Sequence, residues 1–379
     1  MFIPFAQPWL APEDRDAVDN VLRGTVLTQG DQLQAFESEF SAFLGDSANC
    51  VALSSCMAAL HLAYLLLGIG NEDEVILPAQ THVATAHAVE LVGAKPIFVD
   101  CELETGNLKV DQLELAITKR TRAVCVLHFL GIPARMSEIA AFAASHRLAL
   151  VEDCALALGS RRDGKHVGIL GDVGCFSFYP TKHITTGEGG MLVTKHKEIA
   201  DRARVLRSFG VKRQAGHPNK YDVDSVGFNY RLTEMASALG RSQLGRIGQN
   251  LTLRQEHFST LATALAKVPY VSVLGTSDSD TVTSHYCLSI LLHGPLSHVR
   301  DAIMSRLRNA GVGSSIYYPH PVPRLQYYRA KYGWDPKRYS NAQLVSDCTI
   351  ALPVGPTLSD ADCSFIAEAF AAACAAELC

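Results

Sequence analysis

The sequence has no excess of basic charge, no long apolar run and no paired-cysteine motif. Its 379 residues carry a formal net charge of -4, and the isoelectric point is near 6.4. Nucleic acids and anionic membrane surfaces are bound by basic patches, so this balance disfavours both as partners. The start of the chain, MFIPFAQPWL, lacks the features of an export signal, and no stretch of about 18 apolar residues predicts a membrane span. We therefore expect a cytoplasmic protein that acts on small molecules.

The cysteines show no metal-binding or disulfide pattern. There are 11, an odd number, and most lie inside apolar runs such as RAVCVLHF. Such positions are typical of reduced thiols that pack as small hydrophobic side chains. We expect no disulfides and no metal site.

The first two thirds of the chain alternate short apolar runs with longer helical patterns. EVILP, PIFVD, AVCVLHF and LALVED are strand candidates without polar alternation. Strands of this kind are buried on both faces, so the pattern predicts an α/β fold with a mostly parallel sheet covered by helices. With 48% apolar and 19% charged residues, the chain has enough apolar surface for two domains.

A different pattern begins near residue 231. The segment from 231 to 265 predicts one long or broken helix, after which SHYCLSILL and GSSIYY are strand candidates and 298–311 is a helix candidate. A terminal helix follows. These elements are sufficient for a small α+β domain.

Two residues at predicted strand ends are candidates for chemistry. Asp153 closes the run LALVED, and Lys182 lies between GCFSF and the glycine cluster GEGG. Ligands of open α/β sheets bind beyond the carboxyl ends of strands, so both positions suit an active site. Each has an ordinary alternative, since Asp153 could cap a helix and Lys182 could be an exposed loop residue. Ser177 and the glycine cluster favour the functional interpretation.

A lysine, an aspartate and an anion site are the groups that pyridoxal 5′-phosphate (PLP) chemistry requires. A lysine amine is protonated at neutral pH and reacts once it is desolvated or bound to an aldehyde. An aspartate keeps the pyridine nitrogen of PLP protonated, so that the ring can accept electrons. Ser54 and Ser55 open a helical pattern whose positive end can bind the phosphate. His82 could stack on the ring, or simply pack or cap a helix.

Several motifs, in one order, resemble the DegT/StrS family of nucleotide-sugar aminotransferases, which has the aspartate aminotransferase fold (fold type I). The motifs are SSCMAALHL, THVATAHAV, VEDCALALGS, CFSFYPTKHITTGEGG and GFNYRLTEMASALG. The resemblance covers nearly the whole chain. It implies an N-terminal arm and large PLP-binding domain in residues 1–250, with a mostly parallel seven-stranded sheet between helices, and a small C-terminal α+β domain in residues 251–379. It also implies a homodimer with shared active sites.

Carried over by position, the resemblance assigns catalysis to two residues. Lys182 matches the lysine that holds PLP covalently and later moves a proton, and Asp153 matches the partner of the pyridine nitrogen. The cofactor contacts implied in the same way are Ser55, Cys56, Met57, His82, Asp153, Leu156, Ser177, Lys182 and Asn229.

Other members of that set would contact the phosphate or the ring of PLP. Ser177 and the backbone amides of Cys56 and Met57 would bind the phosphate. Asn229 would reach the phosphate bound by the neighbouring subunit. His82 stands where relatives stack an aromatic ring on the cofactor.

Two positions depart from the commonest family pattern. Met57 stands where many relatives have threonine, which removes one hydroxyl contact to phosphate. Leu156 stands where relatives often have glutamine or histidine near the phenolic oxygen of the cofactor. One branch replaces the lysine by histidine and dehydrates sugars, but Lys182 is present here, with His183 beside it, so amino transfer is favoured.

The predicted substrate-binding residues rest on weaker sequence patterns than the cofactor-binding residues. The residues implied are His183, Glu188, Arg231, Tyr318 and His320. The segment YYPHPVPRLQYY contains tyrosines and an arginine, which suit ribose and diphosphate, but it could equally pack between domains. Glu188 belongs to the GEGG turn, whose role could be purely structural.

The sequence as a whole predicts a PLP-dependent aminotransferase of surface-polysaccharide or lipopolysaccharide biosynthesis. We expect it to transfer an amino group from L-glutamate to a nucleotide-linked 4-keto-6-deoxy hexose. A 3-keto sugar is the alternative substrate, and a non-catalytic PLP-binding regulator is a further alternative. A lyase or desulfurase of the same fold should show a reactive cysteine in a polar loop, and none is evident.

Overall fold

The computed structural model of the chain describes residues 2–45, 48–214 and 217–378. The α-helices in this part are α1 (Pro12–Leu22), α2 (Asp31–Leu44), α3 (Cys56–Leu66), α4 (Val83–Leu91), α5 (Leu113–Ala116), α6 (Met136–His146), α7 (Lys197–Leu206), α8 (Glu234–Gly245), α9 (Ile247–Leu265), α10 (Arg300–Asn309), α11 (Gln326–Tyr332), α12 (Ser340–Cys348) and α13 (Asp360–Ala376). The strands are β1 (Asn49–Leu53), β2 (Glu74–Pro78), β3 (Lys95–Val99), β4 (Thr121–Leu127), β5 (Ala149–Asp153), β6 (Arg161–Arg162), β7 (Lys165–His166), β8 (Val173–Ser177), β9 (Gly190–Thr194), β10 (Val211–Gln214), β11 (His217–Val223), β12 (Val271–Val273), β13 (Thr281–Val282), β14 (Leu288–Leu292) and β15 (Thr349–Leu352).

A seven-stranded sheet forms the centre of the molecule, with strand order β1-β9-β8-β5-β4-β2-β3. Strands β8, β5, β4, β2 and β3 pair in parallel, whereas β9 runs antiparallel to both of its neighbours. The buried apolar runs of the sequence are these strands, and the helical segments between them are α3, α4 and α6. The predicted mostly parallel α/β sheet is confirmed.

Alternate residues of each strand belong to cores on opposite faces of the sheet. On β5, Val151 packs with α3 and α4, whereas Leu150 packs with α6 on the other face. Helix α2 covers the remainder of that second face through Phe36 and Phe40. Neighbouring residues at a strand end therefore face different surroundings.

The C-terminal third contains a separate three-stranded antiparallel sheet, β12-β14-β15. The long helix predicted from residue 231 is broken at Arg246, between α8 and α9. The strand predicted at GSSIYY is wrong: this segment makes one isolated bridge, Ser315 to Ala351, and the third strand is β15 instead. The predicted boundary at residue 250 lies inside α9 and remains a prediction.

The N-terminal arm reaches the C-terminal region, because Ile3 pairs with Val312. Within the described residues, no helix is both long and apolar enough to cross a membrane. The ten cysteines in these residues are all unpaired, and all except the half-buried Cys56 are buried.

Candidate active site

A cavity of about 440 Å³ opens beyond the carboxyl ends of the central strands. β1, β2, β5 and β8 lead into it, and residues from 317–318 close another side. The residues that line it are Ser55, Cys56, Met57, Leu60, His82, Ala84, Leu127, Asp153, Ala155, Ser177, Tyr179, Thr181, Lys182, Glu188, Tyr317 and Tyr318. Most of the predicted cofactor residues are thus brought together.

Asp153, the last residue of β5, presents a buried carboxylate to this cavity and is only 3% exposed. Its Oδ2 accepts a hydrogen bond from Thr85 Oγ1 at 2.8 Å, and its Oδ1 accepts one from the backbone amide of Ala155 at 3.0 Å. The Cys56 thiol lies 3.9 Å from Oδ1. The bond to Ala155 forms a tight turn, and no helix follows, so the alternative that Asp153 caps a helix is wrong.

The start of α3 supplies hydrogen-bond donors to the same cavity. Ser55 is the N-cap, and its Oγ accepts a bond from the amide of Ala58 at 3.0 Å, which leaves the hydroxyl proton free to donate. Ser177 is similar, since its Oγ accepts a long 3.4 Å bond from the amide of Tyr179. The amides at the start of a helix, together with two hydroxyls, are suitable donors for a phosphate.

The GEGG turn has a structural reason to end in glycine. A Cβ on Gly190 would lie 2.4 Å from the carbonyl carbon of Ser55 and 2.5 Å from the amide nitrogen of Cys56. Only glycine lets β9 approach the start of α3 this closely. Gly187 has a φ of +80° and so also favours glycine, whereas Glu188 is exposed and lines the cavity.

Lys182 lies in the loop between β8 and β9, with its side chain half-buried at the cavity wall. Its amide donates to the carbonyl of Tyr179 at 2.9 Å, which fixes the turn that carries it. The amine Nζ lies 5.0 Å from the centre of the Tyr286 ring. The alternative of a solvent-exposed loop lysine does not describe this position.

His82 both caps a helix and lines the cavity. It is the N-cap of α4, and its Nδ1 accepts a bond from the amide of Ala84 at 3.2 Å. Its ring lies 5.5 Å from that of Tyr318. Although the residue as a whole is exposed, partial desolvation lowers the pKa of His82 below its ordinary value of 6.5, and its accepting Nδ1 also favours the neutral ring.

The structure places two of the predicted contact residues away from the cavity. His183 is buried, and its Nε2 bonds to the carbonyl of Ser284 at 2.9 Å, while burial lowers its pKa well below 6.5. Leu156 is buried in the main core, and its carbonyl accepts a bond from Ser284 Oγ. Because both side chains pack inward from their turns, neither lines this cavity, and the predicted contacts of His183 with substrate and of Leu156 with cofactor remain predictions.

Three further predicted residues lie outside the cavity lining. Asn229 is exposed, whereas Arg231 is half-buried and its guanidinium lies 4.5 Å from the centre of the Phe209 ring. His320 is exposed and accepts a bond from Arg324 Nε at 3.0 Å. A contact of these residues with ligand would require a partner subunit or a substrate that extends beyond the cavity.

The sequence analysis missed residues that hold the predicted ones in place. Thr85 bonds to Asp153, and its position three residues after His82, on the first turn of α4, was a usable signal. Thr181, Tyr286 and Tyr317 form a chain of hydroxyl contacts behind Lys182. Tyr286 and Tyr317 are far from Lys182 in sequence, so no local pattern could have identified them.

The thiol nearest the cavity is unsuited to nucleophilic chemistry. Burial, together with the charge of Asp153, raises the pKa of Cys56 well above 9. A thiol that stays protonated is a poor nucleophile, which argues against the desulfurase alternative.

One buried group of side chains in the described residues could in principle hold a metal ion: His128, Glu152 and Cys154. Both ring nitrogens of His128 are engaged, because Nδ1 accepts from the amide of Ala134 and Nε2 bonds to Glu152 at 3.0 Å. The Glu152 carboxylate also accepts three backbone amides. The hydrogen-bond capacity of this group is therefore already used within the protein.

The residues of the cavity fit PLP. A buried carboxylate suits the pyridine nitrogen, the hydroxyls and the α3 amides suit the phosphate, and Lys182 has an amine directed to the same space. The absence of a threonine hydroxyl at Met57 leaves these donors in place.

The comparisons with known proteins agree with this site. The family model described as the DegT/DnrJ/EryC1/StrS aminotransferase family matches residues 8–371. The chain is 33% identical to the spore coat polysaccharide biosynthesis protein SpsC of Bacillus subtilis, over 97% of this chain and 96% of SpsC. It is also 33% identical to GDP-perosamine synthase of Escherichia coli O157:H7, over 97% of each chain.

A solved structure extends the agreement to the fold and the cofactor. Spr1654 from Streptococcus pneumoniae, assigned as a sugar aminotransferase and solved in its PLP form, superposes with a TM-score of 0.94 at 27% identity and covers 100% of both chains. The predicted fold class, enzyme class and cofactor are confirmed. The chain belongs to the DegT/DnrJ/EryC1/StrS aminotransferase family.

Proposed function

We propose that this aminotransferase moves an amino group from L-glutamate to the keto carbon of a nucleotide-linked 4-keto-6-deoxy hexose. The observation that carries the proposal is the shared cavity of Lys182, Asp153, Ser55 and Ser177, whose chemistry matches PLP. The similarity to GDP-perosamine synthase and SpsC supports a nucleotide sugar and a role in polysaccharide biosynthesis. The unpaired cysteines support a cytoplasmic setting.

Different residues of the cavity would have different roles in this reaction. When bound, PLP supplies an electron sink that stabilises the electrons released at the substrate carbon. The Asp153 carboxylate, fixed by Thr85 and Ala155, would hold the proton of the pyridine nitrogen in place. Lys182 would hold the cofactor covalently, and its amine would carry a proton to and from the reacting carbon.

The remaining contacts position the cofactor and cover it. The phosphate would be bound by Ser55, Ser177 and the first amides of α3, at Cys56 and Met57. His82 would cover one face of the ring. Neutral His82 adds no positive charge that would compete with the pyridine proton.

The substrate side follows from the residues at the open edge of the cavity. Glu188 and Tyr318 line it, and His320 lies at the surface two residues beyond Tyr318. A keto-sugar in the cavity would place its diphosphate and base toward this edge. Arg231, which packs against Phe209, would meet substrate across a subunit contact or where the substrate extends beyond the cavity.

We also propose a homodimer in which Asn229 binds the phosphate in the partner's site, and two domains divided near residue 250. Phe228 and Tyr230 stack at 4.9 Å, and both pack on His61 of α3, so Asn229 projects outward between them. On the nearby β10–β11 hairpin, exposed apolar residues such as Tyr221 suit a subunit contact.

A two-step assay tests the reaction. PLP-loaded protein is mixed with L-glutamate, and the loss of the absorbance band of the lysine-bound cofactor is followed. Nucleotide-linked 4-keto-6-deoxy and 3-keto hexoses are then added in turn, and a 4-keto sugar should restore the band. Restoration by 3-keto sugars alone would overturn the proposed position of amination, and no response to glutamate would overturn the donor.

Mixed dimers test the shared site. Lys182→Ala and Asn229→Ala protomers are refolded together, and the heterodimers are isolated by two different tags. If Asn229 acts across the interface, both lesions fall in one site and the other site is intact, so activity rises above that of either parent. Heterodimers no more active than the Asn229→Ala parent would show that Asn229 does not act across the interface.

A further inference from the structure

We infer that Tyr286 is a positioning residue for Lys182. The ring of Tyr286 holds the lysine amine at the cavity wall, and its hydroxyl joins the two segments that carry Thr181 and Tyr317. The inference rests on the proposed role of Lys182 as the residue that binds PLP. Tyr286 does not line the cavity; it is 4% exposed and lies behind the lysine.

The ring of Tyr286 provides the contact to the amine. Lys182 Nζ lies 5.0 Å from the ring centre, within the range of a cation–π interaction. The negative face of an aromatic ring attracts an ammonium group, and the attraction is stronger where water is excluded. A lysine that is not covalently bound to cofactor therefore has a defined resting place next to the cavity.

The hydroxyl of Tyr286 is engaged elsewhere and so does not bond to the amine. It lies 3.0 Å from Thr181 Oγ1 and 2.7 Å from Tyr317 OH. Thr181 is adjacent to Lys182 in the β8–β9 loop, whereas Tyr317 belongs to the C-terminal third of the chain. One buried hydroxyl thus connects the two walls of the cavity.

The backbone of Tyr286 is itself fixed, which makes the ring a rigid support. The buried guanidinium of Arg254 donates to the Tyr286 carbonyl at 2.9 Å. The Tyr286 amide donates to the carbonyl of Leu130 at 3.3 Å. Its ring also makes a T-shaped contact with Tyr317, at 5.3 Å and 76°.

This arrangement should affect how Lys182 reacts with the cofactor. A held amine needs less reorientation before it reacts with an aldehyde, so the ring should speed covalent attachment of PLP. Substitutions can separate the effect of the Tyr286 ring from that of its hydroxyl.

The test measures the attachment of PLP to apoprotein. Rates of formation of the lysine-bound cofactor are followed by absorbance, at saturating PLP and one fixed pH. Tyr286→Met, which fills the space without a ring, should lower this rate by about tenfold. Tyr286→Phe keeps the ring and should restore most of the wild-type rate.

Several other titratable or charged groups face Lys182 or the ring, and all remain in every variant. They are Asp153, Cys56, His82, Glu188, Tyr179, Tyr317 and Tyr318 around the cavity, and His183, Cys287 and Arg254 behind it. A difference in rate between Tyr286→Met and Tyr286→Phe therefore reports the ring.

Tyr339→Leu is the matched control, because Tyr339 is also buried and stacks on Trp334 far from the cavity lining. It should leave the rate of attachment unchanged. Should Tyr286→Met fail to fold, Tyr286→Leu provides the same comparison with Tyr286→Phe.

Reduction with borohydride and peptide mass analysis identify the attached lysine. Attachment at Lys182 at the wild-type rate in Tyr286→Met would overturn the inference about Tyr286 alone. No reducible attachment at Lys182 in the wild-type protein would instead overturn the proposed function of this lysine.

Discussion

Glu152 and Asp153 are consecutive acidic residues at the end of one strand, yet they face different halves of the molecule. Glu152 is completely buried on the face covered by α2 and α6, and Asp153 lies on the face covered by α3 and α4. Only Asp153 lines the cavity. A position at the end of a strand is therefore not sufficient to place a side chain in the cavity, because the side chain must also lie on the face of the sheet that borders the cavity.

The hydrogen bonds of the two carboxylates differ as well. Glu152 accepts from the amides of Gly168, Leu170 and Gly171 at 2.6 to 2.8 Å, and it pairs with His128 at 3.0 Å. A carboxylate has about four acceptor positions, so the capacity of Glu152 is used.

Asp153 has capacity left. It accepts one hydroxyl and one amide, with a distant thiol as a third neighbour. The free capacity points into the cavity. A ligand with a charged N–H group can therefore bind to Asp153 and not to Glu152, and the predictions below test this contrast.

The largest expected effect is on Asp153. Asp153→Asn should still bind PLP but transfer amino groups slower by about a hundredfold or more, since a neutral amide cannot hold the pyridine proton. Single-turnover rates with L-glutamate measure the effect, and absorbance of bound PLP is the control. Wild-type rates in this variant would mean that the two acids do not differ in the way described.

Glu152→Gln should show the opposite pattern. Either orientation of the new amide directs its NH₂ group at two hydrogen-bond donors, so the free energy of unfolding should fall by about 3 kcal/mol. Activity per folded molecule should stay within about threefold of wild type. Urea denaturation gives the first quantity and single-turnover rates the second. Lost activity at unchanged stability would contradict a purely structural role.

A buried histidine on the same face of the sheet as Glu152 should make the free energy of unfolding depend on pH. His166, on that face, is completely buried; its Nε2 accepts from Gly159 and its Nδ1 donates to the Val167 carbonyl, and burial lowers its pKa to about 4. The unfolded chain binds a proton near pH 6.5, whereas the folded chain does not. The stabilisation is therefore present above about pH 6.5 and is lost as the pH falls toward 4, by about 3 kcal/mol.

His166→Asn is the control for this pH dependence. Asparagine keeps one donor and one acceptor but does not titrate, so the variant should lose this part of the slope of unfolding free energy against pH. His183 and His285, whose pKa values are also lowered by burial, remain in both proteins. An unchanged slope would show that His166 does not contribute.

The sequence was sufficient to predict the central sheet and the edge at which the cavity opens. Uninterrupted apolar runs such as LALVED mark buried parallel strands, and polar residues that line the cavity end these strands, as Asp153 and Ser177 do. The α3 cap at Ser55 is also a local signal. These features depend on residues that are close in sequence, which explains why they could be predicted.

Contacts between segments that are far apart in the chain could not be predicted from the sequence. Tyr286 and Tyr317 reach Lys182 and Thr181 only because the C-terminal third folds against the β8–β9 loop. The inward orientation of His183 likewise depends on Ser284, about a hundred residues away. Periodicity and capping carry no information about such pairs.

The smallest expected effect tests how Asp153 is held. Thr85 donates to Asp153 Oδ2 at 2.8 Å and is itself within 2.8 Å of Thr81 Oγ1, so its hydroxyl is oriented by two partners. Thr85→Val keeps the shape of the side chain and removes the hydroxyl. A hydrogen bond to a charged group contributes about 1.5 to 3 kcal/mol, part of which Asp153 recovers through its other partners. We expect about a tenfold weaker affinity for PLP and about a tenfold slower single turnover.

Thr85→Ser separates the hydroxyl from the packing of the methyl group. It keeps the donor and should restore most of the affinity for PLP, measured by titration of apoprotein. If Thr85→Val binds PLP as tightly as wild type, the orientation of Asp153 is set by Ala155 and the fold of β5 alone. If Thr85→Ser is as impaired as Thr85→Val, the methyl group rather than the hydroxyl is responsible, and the contrast with Glu152 would then rest on the face of the sheet and not on the hydrogen bonds.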